Sequence, residues 1–131
     1  MRFKRLCSRK AGLVLLVSLV LCAGALGVLR QRIQSDLDTW CATAQAAHPH
    51  PNDDVAALLD YVQSDVHPLQ QRNQAVWALG QARDPRALPV LEGCVTGESC
   101  EHARDLCQHE LSKAVALCMG ETPNVLRIRT P

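Results

Sequence analysis

The chain has 131 residues, enough for one small domain, and 14 Lys and Arg against 13 Asp and Glu leave a formal net charge of +1. That balance gives no basic footprint for nucleic acid. With one Phe, one Tyr and two Trp, a core must be built from Leu, Val, Ala and Cys, which favours packed helices over sheets.

The N-terminus predicts an address. Residues 1–10, MRFKRLCSRK, are basic, and residues 11–29, AGLVLLVSLVLCAGALGVL, carry no charge. As a helix the second segment spans about 28 Å, close to the hydrocarbon thickness of a bilayer. The basic flank keeps the N-terminus in the cytoplasm. Two other readings stand beside this anchor. AGA at 23–25 resembles a signal-peptidase site, although the apolar run continues past it to Leu29. A lipoprotein cysteine at Cys22 would follow Leu21, where a small residue is needed. Every version places residues 30–131 across the membrane, most simply in a bacterial periplasm, so the expectation is a single-pass inner-membrane protein.

Further along, Ile33, Leu37, Trp40, Cys41 and Ala44 recur at helical spacing within 31–47, and HPHPND at 48–53 breaks that helix. Residues 30–51 therefore read as a membrane-proximal helix and linker. Four helices follow in a domain over 52–120. The first covers 53–64, with Asn52 or Asp53 as cap and Val55, Leu58, Leu59 and Val62 on one face. The second covers 68–82, with Leu69, Ala75, Val76 and Leu79 apolar, and ends at Gly80 and ARDP. The third starts at Asp84 with Pro85 in its first turn and runs to VTGES. The fourth covers 101–119, and residues 121–131 form a tail.

Two helical pairs repeat at an offset of about 39 residues, with QAV at 74–76 matching KAV at 113–115. The pattern Ala78-Leu79-Gly80, Asp84-Pro85, Ala87-Leu88-Pro89 and Leu91 resembles the HEAT-type (HEAT/PBS) repeat. The resemblance covers about 53–119 and is sharp over 74–91. In it Gly80 lets the chain turn, Asp84 and Pro85 start the next helix, and Pro89 bends it. The second copy departs, reading ALCMG where the first reads ALG. The resemblance implies an all-α fold, a short α-solenoid of two helical hairpins, and a protein-binding role. It also implies that the second helix of each pair lines the concave side. The water-facing residues there are Gln71, Gln74 and Gln81 on one helix and Asp105, His109 and Ser112 on the other.

Cysteine and histidine crowd the C-terminal half. On a helix over 101–119, Cys100, Cys107 and Cys118 share a stripe with Ala103, Leu111 and Ala114, while His102 and His109 lie opposite. One helix cannot wrap both sets round one ion, so no metal is expected, and no cofactor. His48 and His50 alternate with Pro49 and Pro51 in the linker, where we expect no metal either. Export permits disulfides. Cys94 and Cys100, at the two ends of the inter-helix loop, form the leading pair, with Cys94–Cys107 and Cys41–Cys118 as competitors. No Gly-rich phosphate loop, HExxH or CxxC occurs. Asp53 and Asp54 read as a helix start, and Trp77 as either core or binding face. The expectation is therefore a non-catalytic adaptor whose partners are another protein and, through 11–29, the lipid bilayer. The rival is a cofactor-handling or thiol-redox protein that uses the Cys/His-rich half.

Overall fold

The computed structural model describes the backbone of residues 2–97 and 104–121. All regular elements among them are helical: α1 (Arg2–Ala47), α2 (Asp54–Gln63), α3 (Leu69–Ala82), a 3₁₀ turn (Pro85–Ala87), α4 (Leu88–Gly93) and α5 (Gln108–Cys118). The chain divides into two compact units, residues 1–36 and 37–131.

Within the first unit, α1 contains no Pro, and its glycines sit in an apolar run that tolerates them. It is the one described helix long and apolar enough to cross a membrane, and its Leu and Val side chains between 13 and 29 are 48–70% exposed. Such a surface needs lipid or a partner to cover it.

The second unit begins inside α1. We expected 31–47 to be a helix of its own, joined to the domain by a linker. Instead α1 is continuous to Ala47, and its last turns are part of the core. Ala44 is fully buried, and Leu37, Trp40 and Cys41 pack against the same cluster. The three-to-four spacing of these residues is a packing stripe. HPHPND is a tight corner rather than a linker. The Gln45 amide grips both backbone groups of His50, accepting from its N–H at 2.9 Å and donating to its carbonyl at 2.8 Å. Asn52 takes a left-handed φ of 63°, a conformation that Asn tolerates. Asp53 caps α2 by accepting from the Ala56 N–H at 3.1 Å.

In α2 the buried residues are Ala57, Leu58, Tyr61 and Val62, with Val55 and Leu59 half-buried at the edge. Arg72 of α3 donates to the Val62 carbonyl at 2.8 Å, satisfying one of the orphan carbonyls at the end of α2, and pairs with Asp65 at 2.7 Å. Arg86 in the 3₁₀ turn holds Asp84 at 2.8 Å and Asp53 at 2.7 Å, tying the start of α2 to the turn after α3. Hydrogen bonds from the Arg86 side chain, then backbone N–H donors, hold both carboxyls below the usual range. The same bonds push the guanidinium up. Carboxylates lowered in this way stabilise the fold above their unfolded value of about 4, and the gain is lost as pH falls through the folded one.

Two expectations need correction. Gly80 does not end α3: the helix runs to Ala82, and the turn is made by Arg83 in the left-handed region at φ 55°. Gly80 is instead buried where α3 crosses α5. A Cβ there would lie 2.9 Å from Ala114 Cα and 3.1 Å from Ala114 Cβ. The fourth helix does not extend through 104–107, as expected for a helix over 101–119. Leu106 turns into the core, Cys107 is extended, and α5 begins at Gln108. Asn73 of α3 accepts the Cys107 N–H at 2.8 Å. Gln108 is buried yet fully used, accepting from the Thr96 N–H at 2.9 Å and donating to the carbonyls of Leu106 and Cys94. Pro89 sits in the first turn of α4, where the chain passes from 3₁₀ to α geometry.

Gly80→Ala is expected to lower stability. The substitution gains about 1 kcal/mol of helix propensity. It also forces two backbones apart, an overpacking cost of about 1–3 kcal/mol. A net loss on the order of 1 kcal/mol should appear as a fall of about 5 °C in the thermal midpoint of the helical circular-dichroism signal.

Candidate functional site

Where α3 and α5 meet at Gly80 and Ala114, their flanking side chains diverge and leave an open groove of about 280 Å³. Trp77, Gly80 and Gln81 line it from α3, and Glu110, Lys113, Ala114 and Leu117 from α5. On α5 these positions recur at the three-to-four spacing of one helix face. The floor is apolar, with Trp77 half-exposed above it. The rim is polar: Lys113 pairs with Glu110 at 3.0 Å across one helical turn. The volume lies just below the range of small-molecule clefts, and the groove is partly open to solvent. It suits one or two anchoring side chains of a partner chain.

Of the residues expected on the concave face, Gln81 lines the groove, and Gln74 shares its helix face one and a half to two turns away. Gln71 is turned toward α2, where its carbonyl accepts from the Tyr61 hydroxyl at 2.8 Å. Asp105 precedes α5 and borders a separate polar depression with Asp65, Arg72 and Cys94. His109 is exposed about a quarter turn from the groove face. Ser112 lies nearly opposite that face, bonded to the Gln108 carbonyl at 2.8 Å, and borders a depression with Glu92, Val95 and Val115. The sequence reading chose the residues most opposed to the core stripe. The groove combines Ala114 and Leu117 near that stripe with Glu110 and Lys113 farther round α5, so distance from the stripe does not pick it out. Trp77, a large aromatic at the boundary of an apolar face, was the available signal.

Leu111, Ala114 and Cys118 are buried together, as the helical stripe implied, while Cys107 is half-buried just ahead of the helix. Cys100, His102 and Ala103 lie outside the described residues. No disulfide joins Cys41, Cys94 and Cys118 to one another. Burial pushes all three up, with Asp54 and then Asp38 adding to the effect at Cys41 and Asp84 at Cys118, whereas Arg72 opposes it at Cys94. A thiol held protonated in this way is a poor nucleophile and a poor metal ligand. The Cys118 thiol donates to the Leu79 carbonyl at 3.5 Å.

Residues 71–95 match the family described as PBS lyase HEAT-like repeat. No curated protein matches the chain, and no solved structure does. The matched span runs from α3 through the Asp84-Pro85 turn and α4. The chain therefore carries a HEAT-like helical repeat, the kind of unit from which protein-interaction modules are built.

Cys118 is expected to react with a maleimide at least about tenfold more slowly in the native protein than in the guanidinium-unfolded protein, because its attack requires local opening of α5. Equal rates would show that the thiol is not held against α3.

Proposed function

We propose that the chain is a membrane-anchored helical-repeat module that binds another protein through the groove between α3 and α5, as a non-catalytic adaptor or accessory subunit. The observation that carries this reading is the apolar groove with Trp77 at its edge and the Glu110–Lys113 pair on its rim. Large aromatics beside a small desolvated pocket are the usual anchors of protein interfaces. The exposed apolar surface of α1 supports an anchor in lipid, and the basic residues before it support a cytoplasmic N-terminus with residues 37–131 on the far side, in a bacterial periplasm. The raised thiols favour this reading over a thiol-redox one. A bridge between Cys94 and Cys100 belongs to the same reading, since the exported unit meets oxidant; non-reducing peptide mapping checks it.

A photoreactive residue at position 81 is expected to crosslink a partner in native membranes, and one at Gln63, exposed on α2, is not. Trp77→Ala with Lys113→Glu should cut that crosslink about tenfold or more, the loss expected when an anchor residue is removed, with the circular-dichroism spectrum unchanged. Crosslinks that persist, or that arise from position 112 instead, would move the interface to the α4–α5 side. Intact-mass measurement of membrane-extracted protein should show the MRFKRLCSRK segment retained, apart from Met1. A chain starting at Leu26 would instead mean a cleaved signal sequence.

A further inference from the structure

Two histidines from different corners of the second unit meet end to end. His48 follows the last turn of α1, and His67 lies in the turn between α2 and α3. Their Nε2 atoms are 2.9 Å apart. The ring centres are 5.2 Å apart, so the excess over the nitrogen separation is taken up by the two ring radii and each nitrogen points along the line to the other. A shared metal ion would need both lone pairs to converge at a point off that line. Moreover, no three His, Cys, Asp or Glu side chains gather round a common point among the described residues. The contact is a hydrogen bond from one ring nitrogen to the other.

Such a bond has a fixed proton capacity. With both rings neutral, one Nε2 carries the hydrogen and the other accepts it, which requires opposite tautomers in the two rings. One further proton leaves the bond intact as imidazolium to imidazole. A second further proton puts N–H against N–H, with two positive charges at contact distance, and the bond cannot exist. We infer that the His48–His67 contact is a proton-limited latch, joining the end of α1 to the α2–α3 turn at neutral pH and releasing it on acidification.

The surroundings support this. From α2, Tyr61 stacks flat on His67 at 3.7 Å between centres and meets His48 edge-on at 6.0 Å. From α1, Trp40 meets the same Tyr61 edge-on at 6.3 Å. From α3, Gln71 takes the Tyr61 hydroxyl hydrogen. The latch thus closes an aromatic cluster that all three helices share. No carboxylate contacts either imidazole among the described contacts: Asp60 is held by His50 at 2.6 Å, and Asp65 by Arg72. No carboxylate at the contact is therefore placed to compensate a second charge.

The sign follows from proton counting. The unfolded chain takes up a proton on each histidine as pH falls through the ordinary imidazole range, and the latched state holds one fewer. Stability from the latch is present above that range and is lost as pH drops through it. The Arg86 carboxylates lose their contribution only below about pH 4, outside this window. The His50–Asp60 contact is common to the native chain and the variant below.

The test compares the detergent-solubilised full chain with His67→Gln, which keeps a neutral hydrogen-bonding side chain. Between pH 7.5 and 5.5 the native midpoint should fall by on the order of 5 °C more than that of the variant. At pH 7.5, nitrogen-15 spectra of the native imidazoles should show His48 and His67 in opposite tautomers. This reading stands on its own if the variant does not fold. Equal pH responses in the two proteins, or the same tautomer in both rings, would overturn the latch.

Discussion

The close crossing of α3 and α5 at Gly80 organises the repeat unit. Only a residue without a side chain lets the Ala114 backbone approach to within 2.9 Å of where a Cβ would stand. That approach brings Leu111 and Ala114 into one core with Ala75, Val76, Ala78 and Leu79 and lets the Cys118 thiol reach the Leu79 carbonyl. It also determines the groove, which opens because Trp77 and Gln81 must splay from Lys113 and Leu117 on one side of so tight a contact. Packing and candidate site are consequences of the same missing side chain.

Much of this was legible in the sequence. The apolar spacing located α2 and α3 within a residue or two, Asp84-Pro85 marked a helix start, and the Ala-Leu-Gly, Asp-Pro, Ala-Leu-Pro pattern identified the repeat. What was not legible depends on contacts across distance. Whether Gly80 ends a helix or passes inside one is decided by Ala114, 34 residues away. Whether α5 starts at 101 or 108 is decided by Asn73 and by Gln108 bonding back to the loop. The HPHPND corner looked like a spacer because its prolines stop a helix. Its order comes from Gln45, whose side-chain amide replaces the helical bonds the prolines interrupt. Of the face expected on α3, Gln81 borders the groove and Gln74 lies on the same side of the helix, whereas the side of α5 that meets α3 could not be read without the crossing.

The weak copy of the repeat has a physical explanation in the same geometry. Cys118 and Leu79 are 39 residues apart, the period of the repeat, and both are buried. One residue on, the equivalent of Gly80 is Met119, whose side chain is 53% exposed. A further layer stacking on α5 as α5 stacks on α3 would need a residue without a side chain at 119. Methionine there blocks the approach that Gly80 permits. The ALCMG departure from ALG leaves Val115 half-exposed where Val76, one repeat earlier, is fully buried.

At the other end the stack is closed by a different device. Two layers are fewer than a solenoid ordinarily needs to bury its core. Here the last turns of α1 supply Ala44 to the core, with Leu37, Trp40 and Cys41 packed beside it, and Trp40 meets Tyr61 edge-on. This capping element is also the continuation of the apolar helix, so the segment that completes the fold and the segment suited to a bilayer are one unbroken run of helical hydrogen bonds. Tyr61, His48 and His67 close the cap, with the two imidazoles in contact at its edge. A domain this small buries a limited share of its surface, so the apolar contacts that Ala44, Leu37, Trp40 and Cys41 add are a substantial part of its core.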